Sequence, residues 1–569
     1  MKKLSHLCAS KIGALSIGVA LLGSLFSAHA DVDPMTVGAG DVNQNSAVLW
    51  AHSAVTGRVR LDFSKDPTFT TGVRSIHLRE RDALVPVKAL VKHLSPSTTY
   101  FYRAIGPAAS ASGKFWTPPG EGTFAGLRFG VSGDERGELA PYPSVSNAAG
   151  SDLDFFLQFG DNIYADFPSP DVPLSQCRTL TDFRAKTNEV YSTRYGLNTL
   201  AALRGSTAIL ATIDDHEVTD NFSGAALRTS DPRFSDDTGL LISDTETFNH
   251  GLQAFWEYHP VRELRYGHTG DYTTDHRRKN YRFNTYGSDA ATFVLDARSF
   301  RSEQLPPVTD PNDPEQVAAF LIGAFTPSRT MLGAQQLADL KRDLADAQAA
   351  GILWKFVFCP EPVQNFGVLA GEDRYEGYAA ERTELLKYID DSQITNVVFV
   401  TADFHGTVVN RLSYQLGPFQ PQIQTNSIEV ITGPVAFDKP FGPTIVDLAA
   451  AFGLITPEQR DFYYSLPNGP EKEGFVIAIV NGGLAQLGYN QLSLVDNPLP
   501  NMELLPGQIY TSTNTYGWTE FNIDAATHQL DVKTWGILPY SQAELDADPA
   551  EVTSRAPAVV SEFVMTPLP

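Results

Sequence analysis

Four apolar segments of strand length end in carboxylate or imidazole side chains. The first ends at Asp134 and the second at Asp161, each directly after a glycine. The third closes with Asp214-Asp215-His216, and the fourth with Asp403-Phe404-His405. One Gly-Asp pair after a strand is commonly a turn, but ligand sites in open α/β sheets lie beyond the carboxyl ends of the strands. The recurrence therefore predicts one site built from several strand ends.

The chemistry that suits such a site is metal binding. The carboxylates of Asp134, Asp161, Asp215 and Asp403 would repel one another if they met alone, and a bound cation removes that repulsion. We therefore expect two or more metal ions. Hard oxygen donors favour Ca with Fe or Mn over a metal that prefers sulfur.

Composition and charge narrow the functional classes. The chain has 569 residues and a formal net charge of -23, with an isoelectric point near 4.9. An acidic surface argues against non-specific binding of nucleic acids and of anionic membranes. It would also repel phosphorylated substrates at long range unless the mouth of the site is locally positive. The length indicates more than one domain.

Residues 1–30 have the features of an export signal. Two lysines precede an apolar core from 12 to 26, and Ala28-His29-Ala30 forms a cleavage site. We predict an exported protein, periplasmic or extracellular, that is cut near Ala30 and does not span a membrane. Cys177 and Cys359 remain after cleavage, and a disulfide between them is an open alternative to two free thiols.

Residues 31–122 are predicted to form a separate β module. Short alternating runs such as 46–51 and 58–63 are spaced by turn signals, as in a β-sandwich. The run Leu94 to Tyr100, with its Leu-x-Pro-x-Thr-x-Tyr pattern, resembles fibronectin type III domains. Because the module carries no chemistry of its own, we expect it to serve packing or docking. Pro118-Pro119-Gly120 is the expected linker.

From about residue 123 the pattern changes to alternating strands and helices, which favours an α/β sheet layer with helices outside. Helical periodicity covers four segments. These are 181–194, 248–258, 332–348 and 381–389. Residues 123–569 are expected to form one catalytic domain, with insertions at about 300–330 and 435–510 that are rich in Pro, Gly and polar residues.

An ordered set of motifs spans most of 123–435. The motifs are Gly160–Tyr164, Asp214–Glu217, Leu295–Arg301, Leu332–Leu340, Tyr375–Arg382, Asp403–His405 and Glu429–Gly433. This set resembles the calcineurin-like metallophosphoesterases, and more closely their alkaline phosphatase D (PhoD-like) branch. The resemblance implies a two-layer αββα core of mixed α+β and α/β character, preceded by a small all-β sandwich.

The resemblance also implies site residues. The metal ligands would be Asp134, Asp161, Tyr164, Asp215, Asp403 and His405. Asp161 would bridge two metals, and Tyr164 would bind through its phenolate oxygen. Asp215 stands where the wider superfamily has an asparagine ligand, and His216 stands where it has a catalytic histidine.

The sequence departs from the family pattern in three places. Gly133 stands where the family commonly has a cysteine, so a thiolate ligand is missing. A twin-arginine signal is absent, and the region after 435 matches poorly. Local alternatives also stay open: Glu135 could replace Asp134, Asp214 could be a cap or an acceptor behind the metal, and Tyr164 could serve packing.

These features predict a metal-dependent alkaline phosphatase with phosphomonoesterase and phosphodiesterase activity on a small phosphoester. A metal-bound hydroxide would attack phosphorus in line, while His216 contacts the phosphate or protonates the leaving oxygen. Arg136, Asn221 and Arg298 are candidate substrate contacts, and for each arginine the alternative is a structural ion pair. Phospholipase D-like cleavage and a secreted, non-catalytic metal-binding or surface-docking protein are the alternative functions.

Overall fold

The computed structural model describes residues 33–494 and 499–569. The predicted signal, residues 1–30 with cleavage near Ala30, lies outside the described residues. Across the described ranges, no helix combines the length and the apolar character needed to cross a membrane.

The strands and helices follow one another along the chain in mixed order. The strands are β1 (Thr36–Asn43), β2 (Ser46–His52), β3 (Gly57–Ser64), β4 (Arg74–Glu80), β5 (Val87–Lys92), β6 (Thr98–Ile105), β7 (Ser110–Thr117), β8 (Leu127–Glu135), β9 (Phe155–Gln158), β10 (Ala208–Ala211), β11 (Arg282–Tyr286), β12 (Ala290–Val294), β13 (Trp354–Cys359), β14 (Val397–Thr401), β15 (Thr407–Tyr414), β16 (Ile423–Ile431), β17 (Pro434–Ala436), β18 (Met502–Leu504), β19 (Thr511–Ser512), β20 (Tyr516–Ile523), β21 (Leu530–Ile537) and β22 (Ala558–Met565). The helices are α1 (Leu180–Val190), α2 (Thr199–Ser206), α3 (Glu246–Tyr258), α4 (Pro314–Ala324), α5 (Ala334–Ala349), α6 (Ala379–Asp391), α7 (Phe441–Ala451), α8 (Pro457–Ser465), α9 (Pro470–Gln486), α10 (Gln542–Ala547) and α11 (Pro549–Thr553).

Two large sheets pack face to face. The first has the order β18-β22-β21-β20-β8-β9-β10-β1-β2-β5, with β17 also paired to β8, and the second has the order β11-β12-β13-β14-β16-β15-β19. Aromatic rings fill the space between them: the centroids of Phe129 and Phe356 lie 4.9 Å apart in an edge-to-face arrangement. The strands β8, β9 and β10 pair in parallel, so their carboxyl ends meet at one edge.

Helices cover both outer faces of this pair of sheets. Phe156 and Ile209 face outward from the first sheet onto apolar residues of α1, α2 and α3. Val357 and Phe399 do the same for the second sheet, against α5 and α6. Because the central strands are buried on both faces, they read as continuous apolar runs rather than alternating ones. The two-layer αββα prediction is confirmed.

The four predicted helices are present with small shifts at their ends. The segment predicted at 332–348 is α5, and the segment predicted at 181–194 is α1, which stops at Val190. A capping box between Thr179 and Asp182 begins α1, because each side chain accepts a backbone N–H of the other residue. Cys177 and Cys359 are both buried free thiols.

The N-terminal module shares a sheet with the core. β3, β4, β6 and β7 form a small sheet of their own, whereas β1, β2 and β5 extend the first large sheet. The junction is a parallel pairing of β1 with β10, in which Ala39 lies opposite Ala208 and Gly40 lies opposite Ile209. The sandwich therefore exists as predicted, but one of its layers is continuous with the sheet that carries the site.

The C-terminal region completes the first sheet on its other side. β20 pairs antiparallel with β8, and β21 and β22 continue outward from it. The stretch predicted as an insertion at about 435–510 holds α7, α8 and α9, and the one at about 300–330 holds α4. Residues after 510 therefore stabilise β8, the strand that ends at Asp134.

The junction between β1 and β10 can be tested by adding a single methyl group. A Cβ on Gly40 would lie 2.4 Å from the carbonyl oxygen of Ile209 and 2.6 Å from that of Pro260, so backbone atoms must shift. We expect Gly40→Ala to lower the free energy of unfolding by about 1–3 kcal/mol, as measured by urea denaturation. Gly38→Ala is the matched control, because its Cβ would meet nothing closer than 3.7 Å. Equal stability of the two variants would show that the junction does not hold the modules together.

Candidate metal centre

The ends of strands from both sheets converge at one edge of the molecule. Asp134 belongs to the end of β8, Asp161 follows β9, and Asp215 follows β10 in the first sheet. Asp403 follows β14 of the second sheet. The carboxylates of Asp134, Asp161 and Asp215 are buried, and that of Asp403 is partly buried.

The carboxylates approach one another closely enough to share cations. One group contains Asp161, Asp215 and His216, and a second contains Asp161, Asp214, Asp215 and Asp403. Within each group the ligand atoms lie within 4.8 Å of one another. Because Asp161 and Asp215 belong to both groups, the geometry provides two adjacent positions with shared ligands.

Several oxygens of this cluster are buried without a hydrogen bond. They are both carboxylate oxygens of Asp134, Oδ2 of Asp161, Oδ1 of Asp215 and the Tyr164 hydroxyl. A buried polar atom that lacks a partner costs free energy, and a buried carboxylate costs more. Metal ions would supply the missing partners, so these residues fit the metals that the sequence predicts.

His405 belongs to the same cluster through Asp134. Its Nε2 lies 3.2 Å from Oδ1 of Asp134. Its ring stacks on Phe437, with centroids 3.6 Å apart, which sets the direction of the imidazole. A nitrogen and an oxygen that face each other at this distance can bind one metal together.

The backbone at the cluster adopts a conformation that side chains rarely tolerate. Asp134, Asp161, Asn221, Asp403 and His405 have φ values of 61°, 52°, 55°, 60° and 59°. The left-handed region is uncommon outside glycine and costs free energy at each residue. Such strain clusters at functional sites, and here it turns each side chain back toward the common centre.

Glu217 holds two of the site loops together. Its carboxylate accepts the backbone N–H groups of Asp161 (3.1 Å), Asn162 (2.8 Å) and Asp214 (2.8 Å). It is fully buried. The loop after β9 and the loop after β10 are therefore fixed relative to each other by one side chain, before any metal binds.

Arg298 lies behind the cluster and has no exposed surface. Its guanidinium contacts Asp214 (2.7 Å), Asp373 (2.8 Å) and Glu361 (2.5 Å), with Asp215 at 3.6 Å. Arg301 contacts two of the same carboxylates, Glu361 at 2.5 Å and Asp373 at 2.7 Å. The surroundings of Arg298 are those of a structural ion-pair network rather than of a surface side chain that awaits a phosphate.

Burial and this network set the protonation of the carboxylates. Burial raises the pKa of Asp161 and of Asp403 well above the usual range, and neighbouring carboxylates raise it further. Burial acts in the same direction on Asp215, but the positive charges of Arg298 and His216 and the N–H of Asn221 together outweigh it and lower its pKa. The crowded groups thus resist ionisation where no cation faces them.

His216 is held by a carboxylate that the sequence patterns did not single out. Its Nδ1 lies 2.6 Å from Oδ1 of Asp166. The other oxygen of Asp166 accepts the N–H of Asp220 at 2.8 Å. Burial alone would lower the pKa of His216, but the carboxylates of Asp166, Asp215 and Asp161 raise it well above its usual value.

An aromatic wall stands on the other side of the cluster. The ring of Tyr164 lies 4.2 Å from the ring of His216, and burial raises the pKa of Tyr164 well above its usual value. Arg136 lies over the rings of Tyr164, Phe167 and Phe437, with its guanidinium carbon 4.3 Å from the centroid of Phe167. It also forms an ion pair with Glu138.

Asn221 connects the cluster to its surroundings. Its backbone N–H donates to Oδ2 of Asp215 at 2.5 Å. With its amide nitrogen turned toward the carboxylates, the side chain donates to Asp373 at 2.6 Å and to Asp215 at 3.2 Å. Asn221 therefore contacts Asp215, one of the predicted metal ligands, directly.

Four functional carboxylates were missed by sequence reasoning: Asp166, Glu217, Glu361 and Asp373. Asp166 comes two residues after Tyr164, and Glu217 comes directly after His216. Their position next to a motif could have identified both residues from the sequence. Glu361 and Asp373 follow β13 without any pattern that marks them. Their role depends on contacts with arginines far away in the sequence: Arg301 is 60 residues from Glu361, and Arg298 is 75 residues from Asp373.

The sequence of this chain matches known protein families. A family model described as PhoD-like phosphatase matches residues 127–464, more than half of the chain. This chain belongs to the PhoD-like phosphatase family. A second model, for the N-terminal domain of PhoD-like phosphatases, matches residues 26–119.

Two known proteins extend this result. Alkaline phosphatase D of Bacillus subtilis (strain 168) is 26% identical over 436 residues, which is 71% of each chain. A solved structure described as the structure of PhoD matches with a TM-score of 0.63 and 19% identity, over 93% of this chain and 89% of the other. That likeness shows a shared fold.

Membership of the PhoD-like phosphatase family makes this protein a phosphoric ester hydrolase. It also implies metal ions, in agreement with the unpartnered carboxylates of the cluster. The non-catalytic alternative is therefore set aside.

Proposed function

We propose that the protein is an exported, metal-dependent phosphoester hydrolase with alkaline phosphomonoesterase and phosphodiesterase activity. One observation carries the proposal: buried carboxylates without partners converge beside an imidazole that another carboxylate holds. Export rests on the sequence of residues 1–30 alone.

Asp161 and Asp215 would be shared by two metals, because each belongs to both groups of converging ligands. Asp403 would complete one position. Asp134 and His405, whose facing atoms lie 3.2 Å apart, would complete the other. When bound, two close metals supply a nucleophile at neutral pH and neutralise charge on the phosphoryl oxygens. The oxygen-rich donor set favours Ca, Mn or Fe.

His216 is proposed as the acid that protonates the leaving oxygen. Asp166 holds Nδ1, so Nε2 is the nitrogen that remains to face the substrate. The raised pKa of His216 keeps the ring protonated near neutral pH, as a proton donor requires. The Asp166 carboxylate orients the ring and stabilises its positive charge.

The predicted substrate contacts divide into two groups. Arg298 is proposed as a brace that orients Asp214 and Asp215 rather than as a phosphate contact, because four carboxylates enclose it. Asn221 is proposed as a substrate contact since it borders an open cavity and touches Asp215. Arg136 and the Tyr164 hydroxyl remain proposed as a phosphate contact and a metal ligand.

Replacing Asp166 with asparagine tests the role of His216. Loss of this carboxylate removes the charge that stabilises the imidazolium, so His216 will release its proton at a lower pH. We expect the alkaline limb of the kcat profile to move toward acid by about one pH unit or more. The measurement is kcat against pH for 4-nitrophenyl phosphate. An unshifted limb with lower kcat at every pH would point to a purely structural role for Asp166.

The proposed function is tested with purified mature protein and a substrate panel. Elemental analysis gives the bound metals, while 4-nitrophenyl phosphate, bis(4-nitrophenyl) phosphate and phosphatidylcholine vesicles separate monoesterase, diesterase and phospholipase D-like activity. We expect hydrolysis of the first two substrates. A metal-loaded protein that turns over none of the three would overturn the proposal.

A further inference from the structure

A cavity of about 280 Å³ opens beside the metal centre. Its lining is rich in carboxylates. They are Asp220, Asp231, Glu303 and Glu372. Arg233 is the cation of the lining.

The cavity borders the side of the site where His216 stands. Asn221 lines the cavity, and its backbone N–H donates to Asp215 at 2.5 Å. Asp220 also lines it, and its N–H donates to Asp166, the partner of His216, at 2.8 Å. A group that leaves phosphorus with a proton from His216 would therefore move into this cavity.

The described lining of the cavity holds more carboxylates than cations. Arg233 is occupied by Asp231, with Nη2 and Oδ2 2.5 Å apart. Its other amino group donates to the backbone oxygen of Asp220. Within residues 33–494 and 499–569, no contact ion pair involves the side chains of Asp220, Glu303 or Glu372, so the described lining holds more carboxylates than cations at contact distance.

The arrangement suits an organic cation better than a metal ion. Among the described residues, the oxygens of Asp220, Glu303 and Glu372 form no group within 4.8 Å of one another, in contrast to the carboxylates of the metal centre. These carboxylates are spread around the cavity and do not converge on a single position. A metal ion needs several ligand atoms at roughly 2–2.6 Å. An ammonium group on a carbon chain, in contrast, can form separate contacts with carboxylates that lie apart.

The lining also distinguishes between kinds of ammonium group. Among the described residues, no aromatic ring lines the cavity, and aromatic faces are the usual means of binding a quaternary ammonium. Its carboxylates are hydrogen-bond acceptors, and a further acceptor is Oγ of Ser223, a side chain that is 5% exposed and lacks a hydrogen-bond partner. Acceptors of this kind fit a primary ammonium, which has three N–H donors.

We propose that the cavity is a leaving-group subsite for alcohols that carry a primary ammonium group. The inference rests on the proposed function and names a substrate class: phosphoesters of short amino alcohols. In the reaction one water adds to phosphorus and the bond to the alcohol oxygen breaks. That oxygen takes the proton of His216, and the proton that the water loses restores His216. The ammonium stays charged throughout and contacts the carboxylates.

The test compares leaving groups in the wild type and in the double variant Glu303→Gln, Glu372→Gln. The substrates are 2-aminoethyl, 2-(trimethylammonio)ethyl and n-propyl esters, each as the phosphomonoester and as the methyl diester, with alcohol release followed by NMR. We expect the ratio of kcat/KM for the aminoethyl ester over the propyl ester to fall about five- to thirty-fold in the variant. Differences in intrinsic reactivity cancel, because the same two esters are compared in both proteins.

Controls separate failure of the subsite from failure of the proposed function. Glu303→Gln alone changes an exposed side chain and should lower the ratio in the same direction, whereas Glu121→Gln, an exposed carboxylate outside the cavity, should not change it. Hydrolysis of 4-nitrophenyl phosphate by every variant shows that the catalytic centre is intact. The subsite would be overturned if the double variant is active and its ratio of kcat/KM for the aminoethyl ester over the propyl ester is unchanged. Equal losses of kcat/KM for the two esters would overturn it as well.

Discussion

Asp161→Asn is expected to lower kcat by several orders of magnitude and, at the same time, to make the metal-free protein more stable. The first effect follows because Asp161 belongs to both groups of converging side chains that could hold a metal ion, so its loss would disturb both positions. The second follows because Oδ2 of Asp161 is buried without a partner among other carboxylates. Asparagine keeps the acceptor for the N–H of His216 and removes the charge.

The stability effect has a definite dependence on pH. Burial raises the pKa of Asp161 in the folded state. As the pH rises above about 4, the unfolded chain therefore releases this proton before the folded chain does. The carboxyl consequently lowers the stability of the metal-free fold with increasing pH, and asparagine abolishes that loss. We expect the variant to gain about 1–3 kcal/mol at pH 8 and little at pH 4, as measured by urea denaturation with chelator present.

Asp346→Asn is the matched control, because this side chain is exposed on α5, away from the cluster. It should leave both kcat and the metal-free stability unchanged. An Asp161→Asn protein that keeps a tenth or more of its activity would show that Asp161 is not a shared ligand. A variant that loses activity but gains no stability at pH 8 would show that its carboxyl is not crowded in the metal-free fold.

Removal of the metals should have the second large effect. Chelation is expected to abolish turnover of aryl phosphates and to lower the melting temperature. A ligand that binds only the folded state at a thousand times its dissociation constant stabilises it by about 4 kcal/mol. Differential scanning fluorimetry with single additions of Ca, Mn or Fe will show which ions restore stability, and parallel assays will show which restore activity.

The folding stability of the metal-free protein and that of the metal-loaded protein should change with pH in opposite directions. In the metal-free form, burial raises the pKa of Asp161 and Asp403, so stability falls as the pH rises through the range between unfolded and folded values. In the loaded form, protons compete with the metals for the same oxygens, so stability falls as the pH drops. Identical melting profiles with and without chelator would contradict a metal centre made of these carboxylates.

Much of the site was predictable because its residues follow strands. An apolar run that ends in Gly160-Asp161 or in Asp214-Asp215-His216 is a local pattern, and parallel pairing brings such ends to one edge. The backbone strain at Asp134 and Asp403 was not predictable in this way, because positive φ at aspartate depends on the surrounding contacts. The contact between Asp166 and His216 was missed because it, too, depends on how the surrounding segments fold.

The local sequence does not predict the contacts that Arg136 and Arg298 make in the fold. Arg136 and Arg298 are both suited to bind phosphate through paired donors, and nothing in their neighbouring residues separates them. In the fold Arg298 is enclosed by carboxylates from three distant segments, while Arg136 lies against three aromatic rings. Side-chain type limits what a residue can contact, but the chain topology selects which of those contacts form.

Local sequence patterns were enough to predict the strand runs, four helices, the carboxylates at the strand ends and the need for cations among them. These follow from local periodicity and from the charge of each side chain. Three features became apparent in the fold alone: the pairing of β1 with β10, the pairing of β20 with β8, and the carboxylate-rich cavity whose lining includes Asp220 and Asn221. Strand edges and ion pairs find their partners through contacts between segments far apart in the chain. Many pairings satisfy the same local pattern there, so the local pattern does not specify which one forms.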